Sequence, residues 1–190
     1  MVCRVPRPRA SAARLHVQRL WAILELVNTR PSLPSQPGAY WLVLYLPRAL
    51  TLVVGRKGQA RFPAGWYVYT GSAHGPGGIR SRLGRHLRGS PRHRWHIDYL
   101  RTVAQPVAWG WTTAPAPTLP WECRWAQALA AHPAAYWPLP GFGASDCRHR
   151  CPAHLVGFLQ WEDLRSALPE ATRGTMKADC LPNLSLEPLC

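Results

Sequence analysis

A chain of 190 residues that is 47% hydrophobic and carries ten tryptophans has the apolar surface to bury one core, yet no apolar run approaches the ~20 residues needed to cross a bilayer. Its formal charge of +14, from 23 Lys+Arg against 9 Asp+Glu, points to a polyanionic partner. Nearly all the cations are arginine, whose planar fork suits phosphate, so nucleic acid, DNA in preference, is expected ahead of a membrane surface. Cysteines at 3, 123, 147, 151, 180 and 190 form no regular disulfide framework, and the N-terminus lacks a signal-peptide pattern, which together predict a cytoplasmic, soluble protein.

Residues 1–37 read as a basic N-terminal extension: a tail with Arg4, Arg7 and Arg9, a helix from Ser11 to about Asn28, and a proline-rich break. The compact domain is expected over 38–168. Ala39 to Leu46 and Thr51 to Val54 have strand character, and Phe62-Pro63-Ala64-Gly65 is a corner leading into a third strand, Trp66 to Tyr69. Helices are expected from about Gly78 to Arg88, over Arg94 to Leu100 and from Trp121 to His132, with strands at Val107 to Thr112 and His154 to Gln160. The prolines and small residues from 169 to 190 predict a disordered tail. The glycine-rich turn at Gly75, Gly77 and Gly78 precedes a helix, where free amides can hold a phosphate.

Tyr40 and Tyr69 each lie in a strand beside a glycine, and if those strands are neighbours the phenols share a face. Arg82 and His86 are four residues apart on one helix face, with Arg85 at its border. Arg80 and Arg88 read as a solvated basic face, and with Arg85, Arg92 and Arg94 they are the expected nucleic-acid contacts. Acids are scarce: between Gly38 and Pro120 the only one is Asp98. Glu122 could supply the carboxylate a Mg²⁺ or Mn²⁺ hydrolase needs, although taken by itself a glutamate in a first helical turn reads as stabilising the helix dipole. Asp98 is either a second ligand or the partner of Arg94 or Arg101. Cys147, Cys151 and His154 offer part of a zinc site, but the fourth ligand, Cys123, would have to come from another element, so buried thiols are the favoured reading.

As a set these residues resemble the GIY-YIG nuclease superfamily, and more closely its small domain found alone or fused to endonuclease III. Gly38-Ala39-Tyr40 is similar to the first motif and Tyr69-Thr70-Gly71 to the second, while Ile79 to His86 resembles the arginine-bearing helix that follows. Ala39 and Thr70 replace aliphatic residues that only pack. The resemblance implies an α/β domain of the α+β type, a small three-stranded antiparallel sheet flanked by helices, acting as a divalent-metal-dependent endonuclease, with a place in DNA repair. It implies Tyr40 as general base, Tyr69 as the group orienting water or phosphate, Arg82 as stabiliser of the pentavalent phosphorus, Glu122 as metal ligand, and His86 assisting proton transfer or gripping phosphate. A binding module of the same fold without turnover is the alternative.

Overall fold

The computed structural model describes residues 33–116 and 118–173. The expected N-terminal helix and everything after residue 173 lie outside the described residues. Strand β1 (Ala39–Leu46) is the centre of the sheet. The hairpin β2 (Leu50–Val53) and β3 (Gln59–Phe62), joined through a short 3-10 turn, forms a two-stranded sheet of its own. Strand β4 (Gly65–Ser72) then returns beside β1. Helices α1 (Gly78–Arg88) and α2 (His96–Leu100) precede β5 (Gln105–Thr112), and helix α3 (Trp121–Ala130) precedes β6 (Leu155–Phe158) and helix α4 (Trp161–Thr172).

The main sheet is antiparallel with the order β5-β1-β4-β6. It therefore has four strands rather than the expected three. The expected second strand does not join it, because β2 pairs with β3, a strand hidden in the sequence by the polar residues Gln59 and Arg61.

β1 is buried along nearly its whole length, as a central strand covered on both faces must be. On one face Ala39, Trp41 and Val43 join Val68, Ala108, Val156 and Phe158 against Trp125 and Leu129 of α3 and Leu164, Leu168 and Ala171 of α4. The other face carries Tyr40, Leu42 and Leu44, with His86 of α1 packed against Tyr40. Helix α4 corrects the expected tail. It runs through Pro169, which is exposed, so the helix bond the proline cannot make is lost on the side facing water.

The domain edge also moves. Leu33 is buried, and the backbone of 34–36 caps α1: Ile79 N–H donates to the Gln36 carbonyl (3.1 Å) and Arg80 N–H to that of Pro34 (2.8 Å). The expected phosphate cradle is thus occupied by the chain's own carbonyls. Gly78 makes this possible, with φ of 50° and a position where a Cβ would lie 2.0 Å from the Gln36 oxygen.

If α4 completes the core, Leu168→Ala should destabilise the protein by about 2–5 kcal/mol, while Pro169→Ala changes stability by less than about 0.5 kcal/mol in the destabilising direction. Urea denaturation of the two variants checks this. Equal, small effects would place α4 outside the cooperative unit.

Candidate active site

In the β1–β4 ladder Tyr40 is opposite Gly71 and Leu42 is opposite Tyr69. Side chains alternate along a strand with period 2, so both tyrosines project from one face. Their ring centroids are 6.3 Å apart. Tyr69, 7% exposed, lines a cleft of about 630 Å³ together with Arg82 and Glu122. Tyr40 is fully buried and is not among the lining residues; it lies behind, beside Gly71. A Cβ at Gly71 would come 2.6 Å from the Tyr40 hydroxyl. Glycine there lets the phenol reach the cleft-lining backbone.

Burial, then the neighbouring Tyr69, raises the Tyr40 phenol well above its ordinary value, and Arg82 opposes this. Burial pushes Tyr69 up to about 12, again against Arg82. Both phenols are neutral at pH 7. Either becomes a base only when further positive charge enters the cleft.

Helix α1 supplies the cation. The Arg82 guanidinium lies 4.8 Å from the centre of the Trp95 ring, a stacking contact that holds its fork without occupying its donors. Arg94 lines the same cleft, 5.7 Å from that ring. Arg85 is committed elsewhere: its Nη2 donates to Asp98 Oδ2 (3.0 Å) and to the Arg92 carbonyl (2.7 Å). Arg80 Nε donates to the Leu33 carbonyl (3.0 Å). Of the five expected nucleic-acid contacts, Arg85 is tied into the protein and Arg80 half so, while Arg88, Arg92 and Arg94 are exposed.

Asp98, 2% exposed, is not a metal ligand in the cleft. Its partner is Arg85 rather than the side chain of Arg94 or Arg101. It also accepts the backbone N–H groups of Arg94 (2.8 Å) and Trp95 (3.0 Å). Burial opposes its ionisation, but the neighbouring His86 and the hydrogen bonds from these two amides outweigh burial and hold its carboxyl below the usual range. Arg101 donates to the His86 and Leu87 carbonyls, closing the end of α1. His86, 1% exposed, packs its ring against Tyr40 (5.9 Å), Tyr69 (6.0 Å) and Trp95 (5.5 Å), with Nδ1 3.6 Å from Asp98 Oδ1. Burial lowers its pKa. His86 is therefore enclosed beneath the phenols and is not among the residues that line the cleft.

Glu122, in the first turn of α3, is half-buried and lines the cleft. Its backbone carbonyl accepts the Thr70 hydroxyl (2.8 Å). Thr70 therefore does more than pack: it ties the end of β4 to the residue that carries the carboxylate. Glu122 and Asp146 are the two carboxylates that line the cleft together with Tyr69 and Arg82.

The expected doubt over the fourth soft ligand is resolved. Cys123, one residue beyond Glu122, brings its Sγ to 3.6 Å from Cys147 Sγ and 3.6 Å from His154 Nε2. With Cys151, these four donor atoms lie within 4.8 Å of one another, a Cys3His cluster that could hold a metal such as zinc.

A family model described as "Domain of unknown function DUF123" matches residues 39–177. The chain belongs to the DUF123 family. Comparison with curated proteins and with solved structures finds no match. The DUF123 match runs from β1 to beyond α4, so it takes in both tyrosines, Arg82, His86, Glu122 and the Cys3His cluster. Sequence reasoning missed Trp95 as the platform for Arg82, and Thr70 as the link to Glu122. The crowding of Arg94-Trp95-His96 after an arginine-bearing helix was the available signal for the first; nothing local marked the second.

His86 and Asp98 both have native pKa values below their unfolded ones, so the unfolded chain binds more protons as pH falls. Their contribution to stability is present above the unfolded values, near 6.5 for histidine, and is lost as pH drops through the native ones. Urea midpoints at pH 7.5 and 5.5 should therefore fall for the wild type by more than for His86→Gln. The difference is at most about 1.4 kcal/mol per pH unit for one proton. Equal slopes would contradict the buried, neutral histidine.

Proposed function

We propose that the protein is a divalent-metal-dependent endonuclease of the GIY-YIG type, hydrolysing phosphodiester bonds in DNA, with a role in repair. The observation that carries this reading is the single cleft lined jointly by Tyr69, Arg82 and Glu122, with Tyr40 directly behind Tyr69. Arg82, stacked on Trp95, offers its fork to the non-bridging oxygens on which charge accumulates in a pentavalent transition state. Glu122 holds Mg²⁺ or Mn²⁺, which supplies Lewis-acid charge neutralisation. Tyr69 orients the attacking water or the phosphate, and Tyr40, shut off from the cleft, takes part as a base through the Tyr69 hydroxyl. Arg94 and the exposed Arg88 and Arg92 extend a cationic track for the flanking backbone.

No helix among the described residues is long and apolar enough to cross a membrane. The free thiols of Cys123, Cys147 and Cys151 suit the reducing, cytoplasmic setting proposed for the protein.

One observation favours the alternative of a nucleic-acid-binding module without turnover: both phenols are raised by burial and Tyr40 does not line the cleft. The two readings separate when the purified chain is given Mg²⁺ or Mn²⁺ with nicked, branched and single-stranded DNA and RNA. The nuclease reading predicts cleavage of DNA, and a loss of about 10²–10³-fold in rate for Arg82→Ala, the scale of removing one transition-state donor. Glu122→Gln should abolish cleavage while leaving binding in place. Salt-sensitive binding with no cleavage by the wild type would leave only the binding module.

A further inference from the structure

We propose that Cys123, Cys147, Cys151 and His154 hold one Zn²⁺ in a closed tetrahedral site that fixes the cleft wall beside Glu122. The four ligands come from three separate places: the first turn of α3, the loop after it, and the residue before β6. Three thiols and an imidazole converge at low exposure, with Cys123, Cys151 and His154 buried. Such convergence is not what core packing requires, since three aliphatic residues would fill the space without aiming four donors at one point.

Two of the donor separations match those the ion requires, and all four donors lie within 4.8 Å of one another. Zn–S near 2.3 Å and Zn–N near 2.0–2.1 Å at tetrahedral angles require S···S of about 3.8 Å and S···N of about 3.5 Å. The Cys123–Cys147 and Cys123–His154 separations are both 3.6 Å. A disulfide would need an S–S distance of about 2.05 Å, so the cysteines are not an oxidised pair. Between Cys147 and Cys151 the chain turns through Arg150, a non-glycine residue with φ of 53°, which reverses the loop so that both thiols face the same point. On binding, the three thiols release their protons to solvent and the neutral imidazole donates its Nε2 lone pair. Soft thiolate donors select zinc over magnesium. Four protein ligands leave no open position, so the ion is structural.

The site's location gives it a purpose. Cys123 adjoins Glu122, whose carbonyl accepts the Thr70 hydroxyl (2.8 Å), and the His154 carbonyl accepts the Thr70 N–H (2.9 Å). Two of the four ligands thus flank the residue next to Tyr69. The metal pins the start of α3 and the loop to the end of β4, where the cleft opens. This inference rests on the donor set alone and survives failure of the nuclease reading.

The test is metal analysis of the full chain produced with zinc supplied, together with Co²⁺ titration of reduced, chelator-stripped protein. About one zinc per chain is expected, and Co²⁺ should give the intense thiolate charge-transfer and tetrahedral d–d bands of a Cys3His site. Cys147→Ser should lower zinc content about tenfold or more under competing chelator. The triple variant Cys3→Ser, Cys180→Ser, Cys190→Ser should keep its zinc, and so should His154→Cys, with a spectrum shifted to that of four thiolates. Should Cys147→Ser fail to fold, the wild-type Co²⁺ spectrum and the His154→Cys shift decide the matter. A wild type that takes up neither metal, an octahedral spectrum, or full zinc retention in folded Cys147→Ser would each overturn the proposal.

Discussion

The antiparallel register of β1 on β4 is the constraint on which the rest of the site depends. Tyr40 pairs with Gly71 and Leu42 with Tyr69, and a slip of one residue would send one tyrosine to the face now packed by α3 and α4. Two observations pin it. Trp41 and Val43 are committed to the opposite core with Trp125, Leu164 and Leu168, so β1 cannot turn over without exposing that cluster. Gly71 gives the Tyr40 hydroxyl room, since a Cβ there would come 2.6 Å from it. The motif-like Tyr-Thr-Gly run is therefore a packing solution as well as a chemical one: tyrosine for the cleft, threonine for Glu122, glycine for Tyr40.

Charge is distributed with the same economy. Asp98 is buried among Arg85, His86 and two backbone amides, where it joins α1 to the start of α2 and leaves Trp95 facing Arg82. An acid used in this way is taken up by the protein itself, and the carboxylates that line the cleft are Glu122 and Asp146. The guanidinia of Arg82 and Arg85 both lie 4.8 Å from the centre of the Trp95 ring, but only Arg85 is also paired with a carboxylate, Asp98, so the charge of Arg82 remains free for a ligand.

Much of this was legible in the sequence because it is local. The aromatic alternation of β1 and the Ile79, Leu83, Leu87 stripe of α1 specify their elements within a few residues. What was hidden depends on distant partners. Polar Gln59 and Arg61 disguise β3, whose ladder hydrogen bonds with β2 do not need an apolar face. The glycines before α1 looked like a phosphate cradle, but the amides they free are taken by carbonyls some forty residues upstream. Pro169 looked like the start of a tail, and only the burial of Leu168 and Ala171 beneath it keeps the helix going. Cys123 could not be assigned to Cys147, Cys151 and His154 by spacing, since its proximity is created by α3 folding across the end of the sheet. The placement of Tyr40 behind Tyr69 is of the same kind: shared direction follows from periodicity, while depth follows from what packs above.

Tyr69, Arg82 and Glu122 are proposed to act on one phosphodiester with a metal at Glu122. The most direct measurement is the phosphorus resonance spectrum of a short DNA strand, carrying hydrolysis-resistant linkages, bound to the protein with added Mn²⁺. Paramagnetic broadening of one or two phosphorus resonances in the wild type, lost in Glu122→Gln while the strand stays bound, is the predicted result. Broadening that is unchanged in Glu122→Gln, or absent from the wild type, would contradict it.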